Sequence, residues 1–386
     1  MPIIQRSFRA PTRSFFLLGP RGTGKSTWMR ECFQTALWID LLQPDVLRQY
    51  LAKPERLIDV VRAHTSKVIV IDEIQKVPAL LSLIHALIEE KKGYQFILTG
   101  SSARKLKQTG ADLLAGRASY CTLHPFMASE LGEQFHLERA LQYGLLPLVW
   151  NETTPMSVLH AYVHLYLQEE IQTEGLVRNI ENFSRFLEVI SFSQGALLNI
   201  SNISRECGVK RKTVESYVNI LENLLLSFQL TVFSKRAQRE LAEHPKFYLF
   251  DTGVFQAIRP RGPLDSSEEI GGGALEGLVA QHLRAWVDYS TAVYTLHFWR
   301  TRSKLEVDFI VYGEEGFWAI EVKRSDKVNS KDLKSLKAFL VDYPMAKAIF
   351  LYQGSERLYV DNILCLPVEE FLVQLKPDKP LWGLVA

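Results

Sequence analysis

The chain has 386 residues, of which 47% are hydrophobic and 23% charged. That balance belongs to a folded globular protein and excludes a disordered, collagenous or coiled-coil chain. Its 45 basic and 43 acidic residues leave a formal charge of +2, so no global field draws it to nucleic acid or to a membrane, and either partner would need a local patch.

At this length a single core is not enough, and about two or three domains are expected. A few arginines precede Phe15, Phe16, Leu17 and Leu18, an apolar run too short for a signal peptide and read as a strand. No segment reaches the roughly 18 consecutive apolar residues of a membrane span, so the expected protein is soluble and cytoplasmic, with no membrane partner. Cys32, Cys121, Cys207 and Cys365 form no metal-ligand or framework spacing and are read as reduced core residues.

In chain order, short apolar runs at residues 15–18, 37–39, 68–71 and 96–98 alternate with amphipathic stretches such as 79–90. That rhythm means parallel strands joined by crossover helices. Between the first run and the first helix lie Gly19, Pro20, Arg21, Gly22, Thr23, Gly24, Lys25, Ser26 and Thr27. They satisfy G-x-x-x-x-G-K-[ST] in the strand-to-helix setting that this phosphate-binding loop requires. Its glycines let backbone N–H groups curl around phosphate oxygens at the positive end of a helix. Lys25 is expected to reach the β and γ phosphates of ATP, and Ser26 to coordinate Mg2+.

The run 68–71 ends in Asp72 and Glu73, two carboxylates at the C-terminal edge of a buried parallel strand, where ligands bind in such sheets. Asp72 is placed for the magnesium shell and Glu73 for polarising the attacking water. The fourth run leads through Thr99 and Gly100 to Ser101 and Ser102, hydroxyls that either sense the γ phosphate or cap a helix. Arg117 is either a surface residue or an arginine finger, and a finger acting on a neighbouring subunit implies a homo-oligomer.

From about residue 157 to 230 the period is helical. Residues 201–210 read as a short helix closed by a glycine turn, and 212–226 as a second helix that buries Val214, Ile220, Leu221 and Leu224, which is a helix-turn-helix pattern. Lys210, Arg211 and Lys212 open that second helix. Strands at 230–233 and 247–250 would form a hairpin whose loop, with Lys235, Arg236 and Arg239, makes a wing. Such a winged helix either contacts DNA or docks protein. Residues 259–273 combine Arg-Pro-Arg-Gly-Pro with an acidic stretch and Gly271-Gly272-Gly273, and are read as a linker.

Beyond it, strands are expected at 295–299, 306–312, 317–322 and 348–351, and helices at 275–287 and 330–340. Strand alternation puts Glu321 and Lys323 on one face, and a hairpin would bring Asp308 alongside. Acids that hold a metal, a metal that generates hydroxide and a lysine beside the phosphate are the parts of phosphodiester cleavage. Arg300, Arg302, Lys304, Lys323, Arg324, Lys327, Lys331 and Lys334, with Trp299 and Trp318 among them, make a patch that suits a phosphate backbone or is simply a solvated face.

The runs GPRGTGKST, VIVIDEIQK, FILTGSSARKL and LLAGRA, then HPFMASEL, AYVHLYLQEEI, KFYLFDTGV, RTRSKLEVDFIV and AIEVKRS, together resemble the bacterial and archaeal AAA+-type P-loop ATPases whose C-terminal half is a domain of uncharacterised function. The resemblance covers most of the chain. Its first two motifs are specific for nucleotide binding, whereas the later ones mark the family and are silent on what it does. Asp308 and Glu321-Val322-Lys323 also resemble the D…E-x-K signature of the restriction-endonuclease-like superfamily, in which Glu276 matches the acid of the first helix. That resemblance implies a metal held by Glu276, Asp308 and Glu321. Val307 stands where that superfamily often has proline.

The expected architecture is therefore α/β, with a P-loop AAA+-like parallel-sheet domain at residues 1–156, a helical winged-helix domain at 157–258, a linker at 259–273 and a restriction-endonuclease-like domain at 274–386. The expected activity is Mg2+-dependent ATP hydrolysis that controls DNA engagement or cleavage. One alternative is an ATP-gated DNA- or protein-binding regulator with an inert nuclease-like domain, and another is a chaperone-like or transport ATPase acting on protein.

Overall fold

The computed structural model describes residues 4–100, 114–167, 171, 177, 179–237, 239–263 and 265–381. The chain divides into two compact units, one of Phe8–His124 with Asn223–Leu225, the other of Met1–Ser7, Pro125–Glu222 and Leu226–Ala386. The first unit thus closes at His124 and not at 156, and residues 125–156 belong with the second.

In the first unit β1 (Phe15–Leu18), β2 (Leu37–Asp40), β3 (Val68–Asp72), β4 (Gln95–Gly100) and β5 (Ser119–Thr122) form one sheet in the order β2-β3-β4-β1-β5. All four pairings are parallel. Strands covered on both faces need unbroken apolar runs, and every residue of β1 is buried. The helix Leu80–Glu89 turns Leu80, Leu81, Ile84 and Leu87 inward at helical spacing, onto Phe16, Ile69, Ile71, Phe96 and Leu98. β5 escapes the apolar-run criterion because Ser119 and Thr122 dilute it.

The second unit begins with short helices and continues through helices Ile200–Cys207 and Arg211–Asn223, which meet at Gly208, whose φ of 68° is the left-handed conformation of a helix C-terminus. Val214, Ile220, Leu221 and Leu224 are buried as expected, and Lys210, Arg211 and Lys212 are exposed. A three-stranded sheet follows, β6 (Ala196–Leu197), β8 (Lys246–Leu249) and β7 (Ser227–Leu230), in that spatial order and antiparallel. The first hairpin strand therefore precedes the expected 230–233.

Residues 231–237 and 239–245 do not stand free as a wing. Val232 bridges to Phe298, Phe233 is 2% exposed in the core of the next sheet, Lys235 lies 4.1 Å from the Tyr312 ring, and Arg239 binds Asp342 at 2.7 Å. The reason is apolar: the Phe233 ring packs into that core against Tyr312, Phe317 and Tyr343.

That next sheet has six strands in the order β13-β14-β12-β11-β10-β9, formed by β9 (Tyr294–Arg300), β10 (Glu306–Gly313), β11 (Gly316–Val322), β12 (Lys347–Tyr352), β13 (Leu358–Val360) and β14 (Ile363–Pro367). β9, β10 and β11 run antiparallel, β12 and β14 join in parallel, and β13 is an antiparallel edge. The register of β10 on β9 shifts between Val307 and Ile310, a bulge that re-aims the side chains beside it.

The segment 259–273 is not a linker. Arg259 is buried, paired with Asp265 at 2.9 Å and 3.5 Å from the Phe192 ring, and Gly271–Gly273 lie inside the helix Ser267–Tyr289. A Cβ at Gly271 would meet the tip of the Arg324 side chain and one at Gly277 the tip of Gln194, whereas Gly272 faces open space.

Asp251, in KFYLFDTGV, starts the helix Thr252–Ile258, accepting from the N–H groups of Leu145, Gly253 and Val254 at 2.8, 2.9 and 3.1 Å. Burial pushes its carboxyl up to about 6. A carboxyl raised in the folded state stabilises below its unfolded pKa and loses that contribution as pH rises through the folded value. Asp251 should therefore remove about 3 kcal/mol of stability between pH 4 and pH 7. Urea unfolding of Asp251→Asn is expected to lack that part of the pH dependence, whatever its constant offset; parallel slopes for the two proteins would refute the assignment.

Cys207 and Cys365 are buried as expected, but Cys121 is half-buried and Cys32 exposed, and all four are free thiols. Among the described residues no helix is long and apolar enough to cross a membrane.

Candidate functional sites

In the first unit the loop after β1 turns on Gly19, Gly22 and Gly24, with φ of 153°, 86° and 86°. A Cβ at Gly19 would stand 2.5 Å from the Leu123 carbonyl oxygen, so no other residue fits that bend. The helix Lys25–Cys32 begins after Gly24 with no side chain capping it, which leaves its positive end to a ligand. Lys25 Nζ donates to the carbonyls of Gly19 and Pro20 at 2.6 and 3.1 Å, folded over the loop it would serve, and Thr23 Oγ1 donates to Pro20 at 2.9 Å. Pro20 is buried, Gly22 and Ser26 half-buried, and Arg21 and Thr27 exposed.

β4 lies between β1 and β3, yet the helix that follows β1 reaches the end of β3. Ser26 Oγ donates to Asp72 Oδ2 at 3.0 Å, and Thr99 Oγ1, on β4, donates to Asp72 Oδ1. The same Thr99 oxygen accepts from the Glu73 N–H at 3.0 Å. The hydroxyls expected to sense the phosphate, Ser101 and Ser102, lie outside the described residues, and Thr99, at the end of an apolar run, gave no signal in the sequence.

Glu73 has φ 60° and ψ 49°, a left-handed conformation that costs a side-chain-bearing residue about 1–3 kcal/mol and clusters at functional sites. Burial pushes its carboxyl above the usual range, with Lys25 opposing and Asp72 adding to the shift. A glycine loop, a lysine, a hydroxyl bonded to a carboxylate and a more basic second carboxylate fit a nucleoside triphosphate with a divalent ion. Arg117 is not part of this constellation: it pairs with Glu89 and is exposed.

In the second unit two of the acids read from sequence, Glu276 and Asp308, meet at a lysine that was not foreseen, joined there by Glu306. Lys246 Nζ, on β8, sits 2.9 Å from Glu276 Oε1, 2.6 Å from Glu306 Oε1 and 3.0 Å from Asp308 Oδ1. Its side chain is 1% exposed. Tyr248 donates to Glu276 Oε1 at 2.6 Å, and Asp308 Oδ2 accepts from the Val322 N–H at 3.0 Å. Lys323 Nζ pairs with Glu321 Oε1 at 2.6 Å.

Burial works against the charge on Lys246, but Glu276 foremost among its partners holds the ammonium well above the usual lysine range. Burial, then Asp308, raise Glu276 to about 7 and push Glu321 well up. Asp308 is also resisted by burial, yet Lys246 and Lys323 hold it below the usual carboxylate range.

Half of the basic patch is spent on internal partners, Lys323 on Glu321 among them. Arg300 pairs with Glu306 at 2.5 Å, Arg302 with Glu240 at 2.8 Å, and Arg324 donates to the Ser267 carbonyl at 3.0 Å. Trp299 and Trp318 are each 1% exposed, so neither offers a stacking face.

Residues 11–132 match an AAA domain model, 134–265 a domain of unknown function (DUF8612) and 271–371 another domain of unknown function (DUF4143). Uncharacterized protein Rv2008c of Mycobacterium tuberculosis is 25% identical over 383 residues, 97% of this chain and 83% of that protein. An uncharacterized protein of Haemophilus influenzae is 23% identical over 323 residues, 79% of this chain and 77% of that one. The crystal structure of protein VC1899 from Vibrio cholerae aligns with 94% of this chain and 96% of its own at 12% identity, but its TM-score of 0.20 is too low to speak to the fold. The chain thus carries an AAA domain of the P-loop class at its N-terminus and a DUF4143 domain at its C-terminus.

Proposed function

We propose that the chain binds ATP with Mg2+ at Gly19–Thr27 and hydrolyses it, and that its nucleotide state governs engagement of DNA by the second unit. The observation that carries the first part is the hydrogen-bonded chain Ser26–Asp72–Thr99–Glu73. In this reading Lys25 leaves its loop carbonyls for the β and γ phosphates. Ser26 and Asp72 hold Mg2+, which when bound would offset charge on the phosphate oxygens. Glu73 accepts the proton of the attacking water. Arg117 completes the site of a neighbouring copy; its surface pair with Glu89 is worth little and is no obstacle.

DNA is favoured over protein as the partner by the exposed Lys210, Arg211 and Lys212 at the start of the helix Arg211–Asn223, the position from which a recognition helix meets phosphate and base edges. Lys25→Ala is expected to weaken MgATP binding by on the order of 100-fold, since a charge-assisted phosphate contact is lost. Calorimetric titration tests this, and unchanged affinity would remove the loop assignment. Turnover should rise with duplex or single-stranded DNA and lose that rise when Lys210, Arg211 and Lys212 become alanine. A response to unfolded polypeptide alone would point instead to a protein substrate.

A further inference from the structure

We infer that Lys246 is the resident cation of the acidic cluster formed by β10 and the helix Ser267–Tyr289, so that Glu276, Asp308 and Glu321 hold no divalent metal and the second unit cuts no phosphodiester. The residues do not fit the metal that their nuclease-like pattern implies. An ammonium has three protons, and Lys246 has three carboxylate oxygens within 3.0 Å, one each from Glu276, Glu306 and Asp308. Its nitrogen therefore stands where an ion shared by Glu276 and Asp308 would have to stand.

Four of the six oxygens of Glu276, Asp308 and Glu321 are committed as well. Asp308 gives one to Lys246 and the other to the Val322 amide, and Glu276 Oε1 serves both Lys246 and Tyr248. Glu321 Oε2 is buried without a partner, but Glu321 lies in the field of both Lys323 and Lys246, two ammonium groups that would repel a divalent ion there. Among the described residues no group of three or more His, Cys, Asp or Glu side chains is disposed to hold a metal.

Lys246 cannot simply swing aside. Its strand is paired on both edges, to Leu197 on β6 and to Leu230 on β7, and its side chain is enclosed. A divalent ion entering beside it would meet a fixed positive charge at close range in a poorly screened interior. Gly195, whose Cβ would crowd the Glu276 carboxyl at 3.1 Å, and the β10 bulge beside Asp308 shape the cluster around this ammonium. What results is an ionic clasp between the three-stranded and six-stranded sheets of one unit.

The test uses the full-length protein free of nucleotide, titrated with Mn2+ and followed by electron paramagnetic resonance and by melting temperature. Wild type and Asp308→Asn should bind Mn2+ alike, and neither should nick supercoiled plasmid with Mn2+ or Mg2+, with or without ATP. Lys246→Met should gain one Mn2+ equivalent and a Mn2+-dependent rise in melting temperature, both lost in Lys246→Met/Asp308→Asn. A Mn2+ site or nicking in wild type that Asp308→Asn removes overturns the inference. So does a folded Lys246→Met that gains no ion, since the lysine would then not be standing in for one. If Lys246→Met does not fold, the wild-type and Asp308→Asn arms still decide. The inference does not rest on ATP hydrolysis, and turnover of the same preparations reports on that separately.

Discussion

A Glu73→Gln variant is expected to keep its affinity for MgATP within about threefold and to lose on the order of 100-fold or more of its turnover. Glutamine keeps the size and the backbone demand of the position, so the left-handed turn at φ 60° and the Glu73 N–H bond to Thr99 persist. What disappears is an acceptor for the proton of water. The shift in Glu73 gives the claim a second measurement. Burial raises its carboxyl, with Lys25 opposing, so the acid limb of turnover against pH should lie above that of a free glutamate, activity rising as the proton leaves. Equal turnover in Glu73→Gln and wild type would remove the assignment. Loss of binding and turnover together would mean that the side chain holds the loop and does not act on water.

The second large effect belongs to stability. Lys246→Met removes a buried ammonium from three carboxylates and is expected to cost about 3–5 kcal/mol, the range for a buried ion pair broken on one side. Most of that is the penalty of leaving Glu276, Glu306 and Asp308 charged with no counter-ion. Combining it with Glu276→Gln and Asp308→Asn should recover a good part of the loss, because fewer orphan charges remain. Chemical denaturation of the single and combined variants measures this. If Lys246→Met costs less than about 1 kcal/mol, the cluster is not an ionic clasp.

The legible parts of the molecule were those whose physics is local. A strand, a glycine bend and a helix start are adjacent in sequence, so Gly19 to Thr27 announced themselves, as did Asp72 and Glu73 at the end of an apolar run. Thr99 did not, because a single hydroxyl in Phe96-Ile97-Leu98-Thr99 looks like any other β residue until β4 is seen to lie between β1 and β3. Lys246 was hidden for the same reason: a lysine opening a strand reads as a solvated end, and only the long-range pairing of sheets buries it. Gly271, Gly272 and Gly273 misled by composition. Glycine marks a loop when backbone freedom is needed, whereas these three lie inside the helix Ser267–Tyr289. Glu276 and Asp308 share Lys246 while Glu321 pairs with Lys323, and strand alternation cannot reveal which charge lies opposite each acid.

The clasp also bears on where this polypeptide can be cut. The C-terminal family match begins at residue 271, whereas the ammonium that neutralises its carboxylates is supplied from residue 246 and the ring of Phe233 fills its core. A fragment excised at that match boundary would carry three acids stripped of their counter-ion and a hole where the phenyl had been. The stretch that recurs as a recognisable block is therefore smaller than the stretch able to stand alone.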